Sequence, residues 1–403
     1  MKRVLVIQSE INQYRLPFFA KLNELLRAEG IRLTVAYSDP ACEDACKNDT
    51  CDVPEAFGMK IKSYWLWKGK LLYQPVLRAI AAADLIIVEQ ANKHVVNHVL
   101  LALCVARWKR VAFWGLGKNR QENQLGISEW YRRKTLDWAS WWFAYTRSTA
   151  DYLVGAGVKQ KCITVVQNAV DTRGRREAVA GLTETQRSEA RAHLGIGPRD
   201  PVGVYCGMLH KVKALPFLVD AARVLRAALP NFHLLVIGGG PDQPYVEQEA
   251  RNYSWIHCLG PRPGNGKAPF LGIADVALQP GRVGLVILDC FAAGLPLLTT
   301  RLPNHGPEMD YLEEGVNGLV SEPAVEAFAQ LALELFSDPD RLRGMQQASL
   351  ASSEHYSIEA MAANVCNGVL QCMGISGAAK KTSWLNFKPA EYERDAASRT
   401  GMR

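Results

Sequence analysis

The sequence predicts an α/β protein with two domains, each built on a parallel sheet flanked by helices. Two observations support this prediction. Short β-branched runs alternate with longer amphipathic stretches in both halves of the chain. The 403 residues also exceed the size, about 250–300 residues, at which a single hydrophobic core stops growing. Since strand–helix alternation favours parallel strands with helices on both faces, each half is expected to resemble a Rossmann domain.

The predicted strands and helices follow one another regularly in each half. In the first half, strands are predicted at residues 4–8, 32–37, 85–89, 111–114, 142–145 and 163–166, with helices over 15–29 and 93–109. In the second half, strands are predicted at 203–206, 234–237, 256–259, 276–279 and 295–299, with helices over 215–228 and 286–293. The run Leu85-Ile86-Ile87-Val88 is apolar throughout, which is typical of parallel strands buried on both faces.

A change of composition marks the predicted boundary between the domains. Residues 173–200 are highly charged, carry no strand signal and lead into Gly-Pro-Arg-Asp-Pro, so they are predicted to be an interdomain linker. The domains are then residues 1–172 and 201–356. A C-terminal helix is predicted over 357–373, which could cross back to the first domain, and residues 374–403 lose the pattern and are expected to be flexible.

The net charge of +7 is unevenly distributed. Residues 1–195 contain 29 Lys and Arg against 19 Asp and Glu, about +10, which leaves about −3 for the remainder. Most of the tryptophans also lie in this basic half: Trp65, Trp67, Trp108, Trp114, Trp130, Trp138, Trp141 and Trp142. This combination suits a surface that rests on anionic lipid headgroups. A solvated basic face with ordinary core aromatics is the alternative, and no nucleic-acid-binding module accompanies the charge.

Several other classes of protein are not expected. Met1-Lys2-Arg3 precedes a short apolar run that is typical of a strand, not of a secretory signal, and no apolar stretch reaches the roughly 20 residues of a membrane helix. The protein is therefore expected in the cytoplasm, where it could lie at the inner face of the cytoplasmic membrane. Residues 8–12, after the first strand, lack a G-x-G-x-x-G turn, which argues against hydride transfer.

The ten cysteines do not predict a metal site. Cys42, Cys46 and Cys51 have the spacing C-x3-C-x4-C, but no histidine lies nearby and no second pair recurs along the chain. Loop thiols without a bound metal are the prediction.

Three predicted strands of the second half end in segments suited to bind a diphosphate. Residues 207–213 place a glycine and then three basic residues, of which Lys213 is the last, just before a helix. Residues 238–241 are Gly-Gly-Gly-Pro, which lets a ligand approach the backbone closely. Residues 280–284 precede the helix with Asp289, a carboxylate that could accept two ribose hydroxyls. Each segment alone is common, and it is their combination that favours a nucleotide site.

Read together, these segments resemble the retaining glycosyltransferases of family 4, which have the GT-B fold. The strongest resemblance is PGRVGLVILDCFAAGLP at 280–296, similar to the donor-site segment in which two glutamates flank seven residues before an Ala-x-Gly-x-Pro run. NHGPE at 304–308 and GVNGL at 315–319 resemble the segments that usually follow the donor-site segment in the family. NAVD at 168–171 and YRLPFF at 14–19 resemble the end and the opening of the first domain.

This sequence departs from the family pattern at three places. The first glutamate of the pair falls at Gly281, and the second is Asp289. The usual arginine of the phosphate loop is Met208, although Lys213 remains, and a frequent histidine of the first domain is Leu116. The missing cation could come from one of three nearby residues: Arg282, His210 or Lys211.

The resemblance implies a role for each domain. Lys213 and Arg282 would be catalytic and neutralise the leaving phosphate. The sugar donor would be bound by Gly207, His210, Lys211, Gly238, Gly239, Arg262, Gly281, Gly284, Leu285, Val286, Asp289 and Glu308. The acceptor would lie against the first domain, at Tyr14, Arg15, Gln90, Asn92, Lys118 and Asn119. Neither a metal nor another cofactor is required in this scheme, because cations and helix ends can replace magnesium.

The implied function is transfer of a sugar, with retained configuration, from a nucleoside diphosphate sugar to an acceptor. A lipid-linked or saccharide acceptor is expected, as in bacterial surface polysaccharide or lipopolysaccharide biosynthesis. One alternative is a glycosyltransferase-like scaffold that binds without turnover, suggested by Gly281, Met208 and Leu116. Another is a sugar-nucleotide epimerase or phosphorylase of the same fold, for which His305 and Glu308 would be the catalytic pair.

Overall fold

The computed structural model describes residues 1–40, 50–67, 70–117 and 127–375. These residues form an α/β fold with two Rossmann-like halves, which confirms the predicted fold class. Cys42, Cys46, Lys118, Asn119 and most of the predicted C-terminal tail lie outside the described residues.

The first domain contains a seven-stranded sheet in which every pairing is parallel. Its elements are β1 (Lys2–Ile7), α1 (Leu16–Ala28), β2 (Ile31–Tyr37), β3 (Gly58–Lys60), β4 (Tyr64–Leu66), β5 (Leu71–Tyr73), α2 (Leu77–Ala82), β6 (Leu85–Glu89), α3 (Val95–Val105), β7 (Arg110–Gly115), α4 (Ile127–Lys134), β8 (Trp141–Ala144), α5 (Arg147–Gly155) and β9 (Ile163–Val165). The strand order is β3-β2-β1-β6-β7-β8-β9, and β4 and β5 form a separate antiparallel hairpin.

The segment between the domains is helical. It contains α6 (Thr172–Ala180) and α7 (Glu184–His193). Asp171 caps α6 by accepting a hydrogen bond from the Gly174 amide, and Thr183 forms a capping box at the start of α7. Both helices pack against helices of the second domain, so the residues predicted as a linker form part of its surface.

The second domain repeats the architecture with six strands, again all parallel. Its elements are β10 (Val202–Cys206), α8 (Leu215–Ala228), β11 (His233–Ile237), α9 (Gln243–Asn252), β12 (Ile256–Gly260), α10 (Ala268–Leu271), β13 (Val276–Gln279), α11 (Val286–Ala292), β14 (Leu297–Thr300), β15 (Gly318–Ser321), α12 (Val325–Ser337) and α13 (Pro339–His355). The strand order is β12-β11-β10-β13-β14-β15.

The last described helix, α14 (Ile358–Met373), returns to the first domain and packs against α1. Gly368 allows this close approach, since a Cβ there would lie 2.5 Å from Thr164 Oγ1 and 2.6 Å from the Phe143 ring. The buried face of α14 includes Met361, Val365 and Val369. The chain therefore passes between the domains twice.

The order of strands locates two crevices. In each sheet the order reverses direction at one point, between β1 and β6 in the first and between β10 and β13 in the second. Ligands of open parallel sheets bind outside the carboxyl ends of the strands at such a point. Within the described ranges, no helix combines the length and the apolar character that a membrane span requires.

Candidate active site

The loops that follow β10 and β11 lie in direct contact because both begin with glycine. A Cβ at Gly238 would overlap the carbonyl oxygen of Gly207. The Gly207 amide donates to the carbonyl of Ile237 at 2.9 Å, and the Leu209 amide donates to that of Gly239 at 2.9 Å. The glycines predicted to bind the donor thus bring two loops together at one edge of the second sheet.

Lys213 ends a short 3-10 turn just before α8, and it is tied to the loop after β13. Its Nζ donates to the carbonyl oxygen of Arg282 at 2.5 Å. In return, the Arg282 amide donates to the carbonyl of Val212 at 2.9 Å. Burial, with the nearby charge of Arg282, lowers the pKa of Lys213, while Glu308 acts in the opposite direction. Lys213 and Arg282, the two predicted catalytic residues, are therefore neighbours at the switch point of the second sheet.

Gly281 is buried between these two loops, and only glycine fits there. A Cβ at this position would overlap the backbone atoms of Lys213. The main chain of the turn 211–213 therefore occupies the space that a side chain at position 281 would need.

The predicted phosphate cations have no carboxylate partner. Within the described ranges, Lys211, Lys213 and Arg282 form no ion pair. Lys211 is exposed, and His210 uses its Nδ1 to accept a hydrogen bond from the Val212 amide at 3.4 Å. Uncompensated positive charge at the carboxyl end of a parallel sheet suits an anionic ligand, because cations and backbone N–H groups act on it together.

Glu308 connects the donor side of the cleft to the first domain. It is buried, and its Oε1 accepts a hydrogen bond from Asn168 Nδ2 at 2.7 Å. Its Oε2 would lie 3.9 Å from a Cβ at Gly284, so the carboxylate faces the loop after β13. Tyr311 donates to the carbonyl of Asn168 at 2.9 Å, which fixes the same residue from the other side.

His305, the other member of the pair considered for epimerase chemistry, is held by the backbone. Its Nδ1 accepts a hydrogen bond from the Val283 amide at 3.0 Å. Its Nε2 lies 2.7 Å from the carbonyl oxygen of Thr300, which requires the proton to be on Nε2. Both ring nitrogens are therefore used to shape the loop after β13.

Asp289, the predicted ribose ligand, lies between two cations. Its Oδ1 is 3.1 Å from Arg175 Nε, and its Oδ2 is 2.5 Å from Lys267 Nζ. Arg175 also donates to the carbonyl of Gly264. An ionised carboxylate can accept about four hydrogen bonds, so these contacts leave capacity for ribose hydroxyls while fixing the orientation of the carboxylate.

The remaining predicted donor residues surround this centre. Arg262 is exposed after β12, where its guanidinium lies 5.2 Å from the centroid of the Phe270 ring. Leu285 and Val286 are half-buried at the start of α11, between Arg282 and Asp289. The structure thus places every predicted donor residue on loops or helix starts that follow the strands of the second sheet.

In the first domain, Arg15 forms the centre of an aromatic cluster. Its guanidinium carbon lies 4.9 Å from the Trp114 ring, 5.2 Å from Tyr14 and 5.7 Å from Tyr145. Its Nη2 donates to the Tyr145 hydroxyl at 3.4 Å. Burial opposes the charge of Arg15, but Tyr145 and Tyr14 outweigh it and raise the pKa of the guanidinium.

Three buried donors in this region have no partner among the described residues: Arg15 Nη1, Gln90 Nε2 and Trp114 Nε1. Gln90 and Trp114 are neighbours, since the backbone N–H of Gln90 donates to the backbone carbonyl of Trp114 at 3.3 Å. A buried donor without a partner costs about 1–3 kcal/mol, so such a group calls for an explanation. An oxygen-rich ligand at the ends of β6 and β7 would provide one. Asn92 lies nearby, and its carbonyl is 3.0 Å from His98 Nε2.

Four residues of the site were not assigned from the sequence: Asn168, Arg175, Lys267 and Trp114. Arg175 lies in the segment predicted as a linker, and Lys267 lies in a loop without a strand signal. Asn168 belongs to the Asn-x-Val-Asp motif, so the motif could have indicated it. The pairing of Arg175 and Lys267 with Asp289 depends on contacts between distant segments, which a single sequence does not reveal.

The two facing Rossmann-like domains, with unpaired cations at the switch point of the second, define a protein of the GT-B architecture. Comparison with known families agrees with this class. Residues 200–338, from β10 to the end of α12, match the model of the family described as glycosyl transferases, group 1. The match supports a group 1 glycosyltransferase.

Curated relatives match somewhat less than half of the chain. The D-inositol 3-phosphate glycosyltransferase of Corynebacterium urealyticum is 29% identical over 191 residues, 44% of this chain and 44% of that protein. The alpha-monoglucosyldiacylglycerol synthase of Acholeplasma laidlawii is 25% identical over 190 residues, 45% of this chain and 46% of that protein. The chain thus spans less than half the length of these relatives.

A solved structure extends the likeness to both domains. The Anabaena protein Alr3699/HepE, determined in complex with UDP, has a TM-score of 0.65 and 16% sequence identity over 92% of this chain and 99% of that one. At this level of identity the likeness shows the fold alone.

Proposed function

We propose that this protein is a retaining family 4 glycosyltransferase that uses a nucleoside diphosphate sugar as donor. The observation that supports this most is the group of Lys211, Lys213 and Arg282, which form no ion pair with the residues that the structure describes and converge where β10 and β13 end. A diphosphate would supply the missing negative charge. The match of residues 200–338 to the group 1 family favours a glycosyl donor over other nucleotides.

The proposed reaction transfers the anomeric carbon from the donor phosphate to an acceptor hydroxyl. The C–O bond to the diphosphate breaks, the acceptor oxygen forms a bond on the same face, and the departing phosphate takes the acceptor proton. Lys213 and Arg282 would stabilise the charge that develops on the leaving group, and Asp289 would orient the ribose. The nucleobase of the donor would lie near Arg262. No metal enters this scheme.

The acceptor is proposed to bind against the first domain. Arg15, Gln90 and Trp114 offer buried donors without partners, which acceptor hydroxyl, phosphate or carboxylate oxygens could satisfy. Glu308, which is hydrogen-bonded to Asn168, lies where the two domains meet and would contact the donor sugar. Contacts of Lys118 and Asn119 with the acceptor remain predictions, because both residues lie outside the described ranges.

A catalytically impaired scaffold is the second candidate, suggested by Gly281 together with Met208 and Leu116. Gly281 removes a carboxylate that family members place near the donor sugar. An epimerase is less favoured, because His305 uses both ring nitrogens on backbone groups and could not exchange a proton without breaking this loop. Transfer of the sugar to an added acceptor would distinguish a transferase from both the impaired scaffold and the epimerase.

The proposal predicts metal-independent binding of one nucleotide class. We expect UDP or GDP, or a glucose or mannose derivative of one of them, to raise the melting temperature in the presence of EDTA. A ligand selective for the folded state stabilises it by about 2.7 kcal/mol at a hundredfold excess over its Kd. Differential scanning fluorimetry with and without magnesium measures the effect.

The control for this experiment is the free nucleoside, uridine or guanosine, which lacks the diphosphate. A shift with the nucleoside equal to that with the diphosphate would contradict the role of the cations. Absence of a shift with every nucleotide would contradict the proposed function, and a shift that requires magnesium would contradict the metal-free scheme.

We further propose that the first domain rests on an anionic membrane and that the acceptor belongs to bacterial surface polysaccharide or lipopolysaccharide biosynthesis. The tip of the β4–β5 hairpin exposes Leu66 and 79% of Trp67, and Lys70 is exposed in the same turn. An apolar tip beside a cation suits a lipid interface, where rings enter the headgroup layer and ammonium groups meet anionic lipids.

Trp67→Ser should therefore weaken binding to vesicles that contain phosphatidylglycerol, measured by co-sedimentation at low salt. We expect a loss of about fivefold to thirtyfold, since burial of one aromatic side chain contributes on the order of 1–2 kcal/mol. Val224→Ser is the control, because Val224 is 40% exposed but lies in α8 of the second domain. Equal losses in both variants, or no binding by the unmodified protein, would contradict the proposal.

A further inference from the structure

A groove of about 560 Å³ lies at the amino ends of strands β6, β7 and β8 in the first domain. Its lining comes from Asp84 before β6, the segment 107–110 at the start of β7 and Ser140 before β8. We call it the Trp108 groove, after the exposed ring that lines it. The volume falls within the range of about 300–1,000 Å³ that is usual for ligand sites. Since the acceptor contacts lie at the carboxyl ends of the strands, this groove is separate from both substrate sites.

The segment 107–110 begins with a helix end of unusual composition. The Trp108 N–H donates to the Leu103 carbonyl at 3.0 Å and the Arg107 N–H donates to the Cys104 carbonyl at 2.9 Å, which are the two hydrogen bonds of a Schellman motif. Arg107 has a φ of 60°, a left-handed conformation in which glycine is usual and arginine is strained. The residue at the position of Trp108 commonly packs against the helix, but this ring is 77% exposed. The helix end therefore presents a guanidinium group and an indole ring to solvent.

The groove carries positive charge without carboxylate partners. Within the described ranges, Arg107 and Arg110 form no ion pair, and Arg110 donates to a backbone carbonyl at the end of α14 at 3.3 Å. Lys109 adds a third cation, whose Nζ donates to two backbone carbonyls before β6. Asp84 also lines the groove, but its carboxylate lies 3.3 Å from Lys2 Nζ and is thereby paired. A phosphate group would supply the missing negative charge, because guanidinium groups bind its oxygens well.

Helix α3, which leads into the groove, exposes an apolar face. The helix contains no Asp, Glu, Lys or Arg. Exposed side chains recur at Val99, Ala102 and Val105, while Val96 and Leu100 on the opposite side are buried. A surface helix of a soluble protein usually carries charged residues on its outer face. An outer face without charge, next to a group of cations, is typical of a surface that contacts lipid.

We propose that the Trp108 groove binds the phosphate headgroup of an anionic membrane lipid. Arg107 and Arg110 would bind the phosphate, and the Trp108 ring would lie in the headgroup layer. The apolar face of α3 favours a lipid over a soluble phosphate compound, which would leave Val99 and Val105 in contact with water. This inference names a lipid site for the membrane association proposed above and rests on that proposal, but it is independent of sugar transfer.

Both ends of α3 would then contact the membrane. The hairpin covers the same face of the first sheet as α3, since Tyr73 and Leu100 pack into one apolar cluster. It adjoins the start of the helix, where the Leu72 N–H donates to the Lys93 carbonyl at 2.8 Å. The groove lies at the other end of this helix of 11 residues, roughly 16 Å away. Contacts at both ends would hold α3 parallel to the membrane, so the acceptor contacts would open along the lipid surface.

The test is co-sedimentation of the full chain with vesicles of phosphatidylcholine, with and without phosphatidylglycerol. We expect binding that requires phosphatidylglycerol. Arg107→Gly should weaken it by about fivefold, which is the contribution of one basic residue near an anionic surface. Trp108→Ser should weaken it by about fivefold to thirtyfold. Because glycine relieves the left-handed strain at position 107, Arg107→Gly should melt at or above the temperature of the unmodified protein.

Arg199→Gly is the matched control. Arg199 is an exposed cation in the turn between α7 and β10, so the substitution and the change of charge are the same. This variant should bind the vesicles as the unmodified protein does. Glycerol 1-phosphate, measured by isothermal titration, supplies a phosphate without acyl chains and should not bind measurably.

The outcomes separate this inference from the proposals on which the article's function rests. If Trp67→Ser weakens vesicle binding and neither groove variant does, the inference is wrong and the membrane association stands. Equal losses in Arg107→Gly and Arg199→Gly, equal binding without phosphatidylglycerol, or binding of glycerol 1-phosphate without binding of vesicles would also overturn it. If no vesicle is bound, the inference and the membrane association fail together, and nucleotide binding still tests the transferase proposal separately.

Discussion

Lys213→Met should reduce nucleoside diphosphate binding by about 10- to 100-fold, because a hydrogen bond to a charged group contributes about 1.5–3 kcal/mol. Methionine keeps most of the aliphatic stem but removes the charge and the hydrogen bond to the Arg282 carbonyl. Transfer should fall further, by about 10²–10³-fold, since the lost interaction strengthens as negative charge develops on the leaving group. Isothermal titration with UDP or GDP and initial rates of transfer measure the two effects.

Arg251→Met is the control, since Arg251 is an exposed cation at the end of α9. Its loss changes the net charge equally and should leave nucleotide affinity within about twofold. Similar effects of the two substitutions would mean that general electrostatic attraction, and not Lys213, binds the diphosphate.

The lowered pKa of Lys213 adds a dependence on pH. The ammonium loses its proton at a lower pH than an ordinary lysine, whose pKa is about 10.4. Nucleotide affinity should therefore decrease as the pH rises toward that value, and the decrease should be absent in Lys213→Met. A pH profile that is identical in both proteins would assign the titration to another group.

Gly281→Ala should disrupt the donor site although it adds only one methyl group. The Cβ would overlap the backbone of Lys213, so the turn 211–213 must move away from the loop after β13. Overpacking of this kind costs about 1–3 kcal/mol of folding stability. It should also break the two hydrogen bonds between Arg282 and this turn, with a loss of nucleotide binding. Urea unfolding and calorimetric titration measure both consequences.

Gly281→Glu, which restores the family pattern, should be worse than Gly281→Ala. Its side chain is larger, and even a Cβ at this position would overlap the backbone of Lys213. Gly344→Ala is the control, because Gly344 lies within α13 and a Cβ there meets no atom within 4 Å. That substitution should keep nucleotide affinity and raise stability by up to about 1 kcal/mol. Activity gained by Gly281→Glu would contradict this account.

Much of the fold could be predicted because parallel strands are short, apolar and regularly spaced. The strands at 85–89 and 276–279 and the helix at 215–228 agree with the sequence-based ranges residue for residue. The hairpin of β4 and β5 was not predicted, since its strands have three residues each and are too short for a periodic pattern. The segment 173–200 forms two charged helices whose packing depends on tertiary contacts.

The location of the candidate site residues was predictable where it follows from chain order. Gly207, Lys213 and Gly281 lie on loops after β10 and β13, as expected from glycines and cations that come directly after predicted strands. The contact between Gly281 and Lys213 could not be inferred, because it depends on how two loops distant in sequence pack. The same holds for the two cations on Asp289, because Arg175 precedes the second sheet in the chain and Lys267 lies between β12 and β13.

The two passages of the chain between the domains restrict how the cleft can open. The first passes through Thr172 and the second through Tyr356, and a hydrogen bond of 3.4 Å joins the Thr172 hydroxyl to the Tyr356 carbonyl. Two interdomain segments that lie together at one side of the cleft would form a hinge. Such a hinge permits rotation of one domain relative to the other about one axis and resists sliding. Contacts near this axis, such as that between Asn168 and Glu308, can persist while the far edges separate. Substrates would then enter from the side opposite the hinge, and the reacting groups would return to the same alignment at each closure.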